Sequence, residues 1–226
     1  MALAVKRIAA DLRDLQRLEG KTILVHPGSD VYRCTALIVG PSSTPYAFGF
    51  FYFSVKFPAD YPFNPPKMIS LTNDSNRVRF NPNLYADGKI CLSILGTWSG
   101  PSWVATMTLK SVLLSIQGLI LTNTPLHNEP GWESETDCNK LQGYNNMLLH
   151  ETLRVAVCDT VENPPPEFAD EIRSQFAQHF DEYVSAASSH THLNGSRFQD
   201  PYRSSSGVFD FDSILRRLDQ LKERFC

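Results

Sequence analysis

Between residues 2 and 18 apolar positions recur at helical spacing: Leu3, Ile8, Leu12, Leu15 and Leu18, with Lys6, Arg7, Arg13 and Arg17 among the polar ones. The spacing predicts an amphipathic helix stopped by Gly20. The pattern then shortens. Residues 22–25, 34–39, 50–57 and 68–71 have strand character and are separated by turn-formers such as Pro27-Gly28, Gly40-Pro41 and the proline-rich run 58–66. In the third stretch Phe51, Phe53 and Val55 alternate with Tyr52, Ser54 and Lys56. Connections this short predict an antiparallel meander, because parallel strands need long crossovers.

Residues 73–107 follow neither period. They are rich in Asn, Pro, Gly and Ser, yet they hold Ile90, Ile94, Leu95, Trp98 and Trp103. A long irregular segment with apolar anchors, pinned to a core, is usually functional. Helices are predicted over 109–121 and 141–158, with a turn-rich stretch between them. Asn163-Pro164-Pro165-Pro166 marks a boundary, dividing a domain of residues 1–160 from a helical extension, 161–226. In the extension Phe168, Ile172, Phe176, Phe180 and Val184 predict a helix over 167–187. A polar patch follows, then a terminal helix carrying Ile214, Leu215, Leu218 and Leu221. An antiparallel meander with a helix before it and helices after it predicts an α+β fold, with the aromatic extension packed on the first domain.

At 226 residues and 42% hydrophobic composition the chain has ample material for a core, and its formal charge is only −3. A nucleic-acid partner would leave a basic footprint that this sequence lacks. Cysteines stand at 34, 91, 138, 158 and 226, an odd number with no CxxC pair, so reduced thiols are expected rather than a disulfide framework. The sequence shows neither a signal pattern nor the roughly 18-residue apolar run of a membrane helix. A soluble protein of the cytoplasm and nucleus, with no membrane partner, is the expectation. His179, His190 and His192 lack the companion spacing of a metal site and read as part of a polar loop. Cys34, Cys138, Cys158 and Cys226 read as structural or incidental.

Cys91 lies in the irregular segment, downstream of Asn81-Pro82-Asn83 and the turn Asp87-Gly88. An isolated cysteine is most often a small buried hydrophobe. Here, however, the polar turn-formers upstream offer backbone amides and an amide side chain as candidates to face the sulfur. No histidine lies nearby in sequence, which disfavours a cysteine hydrolase. A thiol without a strong base still serves as an acyl carrier, since exchange between thioesters needs little help with proton transfer.

The run Phe57-Pro58-Ala59-Asp60-Tyr61-Pro62-Phe63-Asn64-Pro65-Pro66-Lys67 resembles the hallmark of ubiquitin-conjugating enzymes. Asn81-Pro82-Asn83 and Gly88-Lys89-Ile90-Cys91-Leu92-Ser93-Ile94-Leu95 resemble that family's active-site segment, and Trp103 and the helix from Lys110 continue the likeness. Gly96-Thr97-Trp98-Ser99-Gly100-Pro101, His127-Asn128-Glu129-Pro130-Gly131 and Arg154-Val155-Ala156-Val157-Cys158-Asp159 are similar to its Z-type branch, whose members carry a C-terminal extension. The likeness departs at Asn81, where the family usually has His, at Ser93, where many relatives are acidic, and in a longer loop between Leu95 and Trp103.

The resemblance implies the ubiquitin-conjugating fold and a thioester cycle. Cys91 would receive ubiquitin or a ubiquitin-like modifier from an activating enzyme and pass it to a substrate lysine or a ligase cysteine. It also implies that Asn83 serves as an oxyanion donor or a brace of the active-site loop; shaping the turn alone is the other reading. Glu129 is implied as an acidic gate for the incoming lysine, or else is a helix-start carboxylate. Phe63 and the loop 103–105, with Ala105, are implied ligase contacts, and Lys6, Arg7 and Arg13 activating-enzyme contacts. A core Phe63 and a merely solvated cationic helix face are the alternatives. The implied partners are ubiquitin or a tandem ubiquitin-like modifier, an activating enzyme of the unconventional type, and ligases. No cofactor is implied, since ATP is consumed by the activating enzyme. A non-catalytic ubiquitin-binding variant is disfavoured, because such variants lack the cysteine.

Overall fold

The computed structural model describes residues 2–202 and 205–225, so Cys226 lies outside the described residues. Helix α1 (Ala2–Gln16) leads into four strands, β1 (Ile23–Pro27), β2 (Arg33–Val39), β3 (Phe50–Lys56) and β4 (Lys67–Ser70), which pair antiparallel in chain order. This is the expected meander, with strand ends shifted by one or two residues. Ala4, Ile8, Leu12 and Leu15 form the buried stripe of α1, whereas Leu3, expected in it, is exposed. The helix stops short of Leu18, and the chain reverses at Gly20, whose φ of +80° suits a residue without Cβ.

Helix α2 (Leu109–Ser115) opens with a capping box between Thr108 and Ser111 and runs into a π-helical turn, Ile116–Ile120. Helix α3 (Cys138–Glu151), capped by Asp137, continues through a second π-helical stretch, Thr152–Asp159, to the short α4 (Thr160–Glu162). In the extension, the helix expected over 167–187 is two helices. α5 (Ala169–Gln178) and α6 (Phe180–Ser188) are separated at His179, whose ψ of 18° breaks the helical run. The polar patch also holds a hairpin of β5 (Arg197–Gln199) and β6 (Ser206–Val208), which corrects the expectation of a purely helical extension. Three-residue strands carry too short a pattern for sequence to reveal. Helix α7 (Phe211–Phe225) ends the described chain. No helix among the described residues is long and apolar enough to cross a membrane.

Strands β2 and β3 are buried on both faces. Cys34, Ala36, Ile38, Phe51, Phe53 and Val55 point into a core shared with α1 and α2. Their alternates Leu37, Val39 and Phe50 point the other way, into a second core with Phe168, Ile172, Phe176, Tyr183, Phe211 and Leu218 of the extension. Each such side chain contributes about 1.5–3 kcal/mol on removal from water, so this second core holds the extension firmly. Polar contacts fix its register: Thr35 and Tyr52 hydroxyls both donate to Glu167, Tyr183 Oη donates to Phe48 O, and Arg217 bonds Asp159 and Glu162.

Candidate active site

The segment bearing Cys91 is irregular yet tied down at every turn. Asp87 Oδ1 accepts from Lys89 N, and Gly88, at φ +88°, packs so closely on β4 that a Cβ would lie 2.7 Å from Ser70 O. Ser70 N donates in turn to Gly88 O. On the far side of the cysteine, Thr97 Oγ1 accepts from Leu92 N at 2.9 Å and donates to Ile90 O at 2.7 Å. One hydroxyl thereby grips the backbone on both sides of residue 91, a role for the Gly96–Pro101 loop that its sequence does not announce.

Cys91 is 1% exposed. Its N–H donates to Asn83 O at 2.9 Å, and Asn83 Nδ2 donates to Cys91 O at 2.7 Å. The two residues expected to work together are therefore joined. In this arrangement Asn83 braces the loop with one amide hydrogen, and the amide carries a second.

Behind Asn83 stands Asn81, fully buried. Its Oδ1 accepts from Asn83 N at 2.9 Å and from Asn128 Nδ2 at 3.4 Å; its Nδ2 donates to Tyr46 Oη at 3.0 Å and Ile120 O at 2.9 Å. Tyr46 Oη donates onward to Phe80 O. The carbonyls that Asn81 and Asn128 use, on Ile120 and Leu119, belong to the end of the π-helical turn after α2, where helix carbonyls lack partners of their own. Asn81 therefore satisfies every polar atom of its buried amide and carries a structural load suited to a small amide.

Arg79 was not singled out by any motif. Its guanidinium lies 4.0 Å from the ring centroids of both Tyr85 and Tyr202, and Nη2 donates to Pro82 O at 2.7 Å. Glu129 follows the 3₁₀ turn Pro125–Asn128 at its C-terminal end, which sets aside the helix-start reading. Its carboxylate sits 3.8 Å from Arg79 Nη2, with no hydrogen bond to Cys91 or Asn83. His127 bonds Glu135 O, away from the cysteine.

The outer loops also meet. Trp103 Nε1 donates to Pro62 O at 2.7 Å, beside the cis Tyr61–Pro62 bond, which joins the loop of Phe63 to that of Ala105. Phe63 is 66% exposed and Val104 52%, so this Phe is surface and not core. Arg7 requires a correction. Its guanidinium is half-buried and donates to Ala105 O, Met107 O and Asp11, so it fastens α1 to this loop instead of projecting outward. Asp11 also accepts from Tyr61 Oη and Leu109 N. Lys6 and Arg13 remain exposed.

Burial pushes the thiols of Cys34 and Cys158 up to about 12, which keeps them protonated and inert. Cys138 is exposed at the start of α3. Among the described residues no group of three or more His, Cys, Asp or Glu is arranged to hold a metal ion.

The chain matches the family model described as ubiquitin-conjugating enzyme over residues 7–146. It is 42% identical to ubiquitin-conjugating enzyme E2 Z of Xenopus tropicalis over 224 residues, 97% of this chain and 71% of that protein. The Homo sapiens protein of the same name is also 42% identical, over 96% of this chain but only 62% of its own length. Among solved structures, the E2 domain of a Toxoplasma gondii ubiquitin conjugating enzyme is 30% identical with a TM-score of 0.53, covering 67% of this chain and 97% of that one. Sequence and sheet topology thus agree: the chain belongs to the ubiquitin-conjugating enzymes, transferases that carry their modifier as a cysteine thioester, and is similar to the Z-type branch.

Proposed function

We propose that Cys91 is the thioester-forming residue. Its thiolate attacks the carbonyl of the modifier's thioester on an activating enzyme; a new S–C bond forms, and the activating enzyme's sulfur departs as thiolate. In discharge, a lysine amine or a ligase thiolate attacks the Cys91 thioester, and the Cys91 sulfur leaves. With lysine, the surplus proton passes to a base or to water. The observation that carries this reading is the reciprocal bonding of Cys91 and Asn83, in a fold of this family, with the other two buried cysteines held protonated.

Asn83 holds the loop in the resting state, and its second amide hydrogen serves the oxyanion that develops during aminolysis. Glu129, 3.8 Å from Arg79 Nη2, is the acidic gate for the incoming lysine. Phe63, Val104 and Ala105 form the ligase surface, and Lys6 and Arg13 the cations that meet the activating enzyme, with Arg7 securing the loop between them. The modifier is ubiquitin or a tandem ubiquitin-like protein, and the activating enzyme is of the unconventional type. No cofactor is bound by this chain, which acts in cytoplasm and nucleus.

The test is loading with ATP, each type of activating enzyme and each modifier, read with and without reductant. The native chain gives a reductant-sensitive adduct. Cys91→Ser gives only a slower, reductant-resistant oxyester. Undiminished thioester on the Ser variant would move the assignment to another cysteine.

A further inference from the structure

We infer that the C-terminal extension enters the discharge step through Tyr202, a positioning residue that holds Arg79 and, through it, the Asn81-Pro82-Asn83 turn and Glu129. The inference rests on Cys91 being the thioester-forming residue.

Arg79 is buried, and a buried guanidinium needs its donors satisfied and its charge compensated. Two aromatic rings, each with its centroid 4.0 Å from the guanidinium carbon, supply cation–π contacts: Tyr85 from the active-site segment and Tyr202 from the extension. Held by both rings, the guanidinium directs Nη2 to Pro82 O at 2.7 Å and Nε to Asn81 O at 3.3 Å. Both carbonyls preceding Asn83 are thus fixed by one side chain. The same Nη2 lies 3.8 Å from Glu129.

The backbone repeats the attachment. Arg79 N donates to Ser205 Oγ at 3.1 Å, and Ser205 Oγ donates to Arg77 O at 3.0 Å. Ser205 is therefore anchored on the chain just upstream of Asn81. Tyr202 touches none of the reacting atoms; its effect on them passes through Arg79.

Loading exchanges one thioester for another and tolerates a loose turn, whereas aminolysis passes through a tetrahedral oxyanion and needs Asn83 and Glu129 in place. In the full-length chain, Tyr202→Leu keeps apolar volume but removes the π face. It is expected to slow single-turnover discharge to free lysine about three- to thirty-fold, the span from an exposed to a desolvated cation–π contact, with loading changed less than about two-fold. Tyr202→Phe restores discharge. Arg79→Lys, which keeps charge without the planar fork, shows the same loss, and combining it with Tyr202→Leu adds little further. Leu218→Ala, which weakens the extension far from Arg79, lowers the melting temperature without separating the two steps. Equal losses in loading and discharge that follow the melting temperature, or unaltered discharge in Tyr202→Leu, would overturn the inference. Failure of the underlying reading looks different, as a native chain that forms no reductant-sensitive adduct at Cys91.

Discussion

Asn83 and Cys91 hold each other through a reciprocal pair of hydrogen bonds, N–H of Cys91 to Asn83 O at 2.9 Å and Asn83 Nδ2 to Cys91 O at 2.7 Å. The residue proposed to serve the reaction thus also holds the cysteine proposed as nucleophile. Replacing it therefore removes two contributions of different size.

Asn83→Ala is expected to cost about 1 kcal/mol of stability from the lost loop bond. It should slow discharge to lysine about ten- to hundred-fold through the lost donor, with loading affected much less. Single-turnover loading and discharge, each with a melting curve, separate the two. Equal losses in both steps would reduce Asn83 to a brace alone.

Exposure sets Cys138 apart from the other described thiols. Iodoacetamide at neutral pH should label exposed Cys138 first, well ahead of Cys91, which is 1% exposed. Cys34 and Cys158, buried and pushed up to about 12, should react only on unfolding. Time-resolved peptide mass spectrometry reads the order, and early labelling of Cys34 or Cys158 would contradict it.

The two-sided sheet makes the extension indispensable to stability. Phe176→Ala should lower unfolding free energy by about 3–5 kcal/mol, as expected for a fully buried Phe. Truncation after Glu162 exposes Leu37, Val39 and Phe50 and should give a chain that melts far lower or aggregates. Denaturant titration and light scattering test both. A truncated chain melting with the full one would show that the second core contributes nothing.

Acid should weaken the contact between α3 and the turn at Asp74. Burial alone would raise Glu151 and Asp74, but it is outweighed for Glu151 by His150 and Arg154, and for Asp74 by Arg77 and Arg154. Both carboxyls are thereby held below their ordinary values of 4.5 and 3.8. A carboxyl depressed in the folded state stabilises above its unfolded value, and that stabilisation is lost as pH falls from there through the folded one. Stability should thus climb with pH through the carboxylate range. In Arg154→Met burial is left less opposed, so the slope should flatten. Unfolding titrations at a series of pH values check this, and parallel curves for the two proteins would refute it.

Periodicity and motif carried much of the molecule. Ala4, Ile8, Leu12 and Leu15 face the core because helical spacing places them there, and the alternation of β3 assigns Phe51, Phe53 and Val55 to one side. Cys91 and Asn83 were legible because the loop that joins them is local, and its turn residues lie within a few positions of each other. The tertiary structure decided what covers each face and what completes each buried polar group. The outward side of β2 and β3 reads equally well as solvent-facing or buried until the extension arrives with Phe168 and Phe176. The break at His179 interrupts a continuous helical pattern, and the hairpin β5–β6, whose Phe198 packs against His150 of α3, forms with almost no pattern at all. The contacts of Asn81, Arg79 and Thr97 gave no sequence signal, because a side chain's hydrogen-bonding capacity is written in its type while its partners are not. Asn81 needs Tyr46, Ile120 and Asn128; Arg79 needs Tyr202 from the far end of the chain. Desolvation makes an unpaired buried group so costly that these distant residues must converge, and only the folded chain shows where they do.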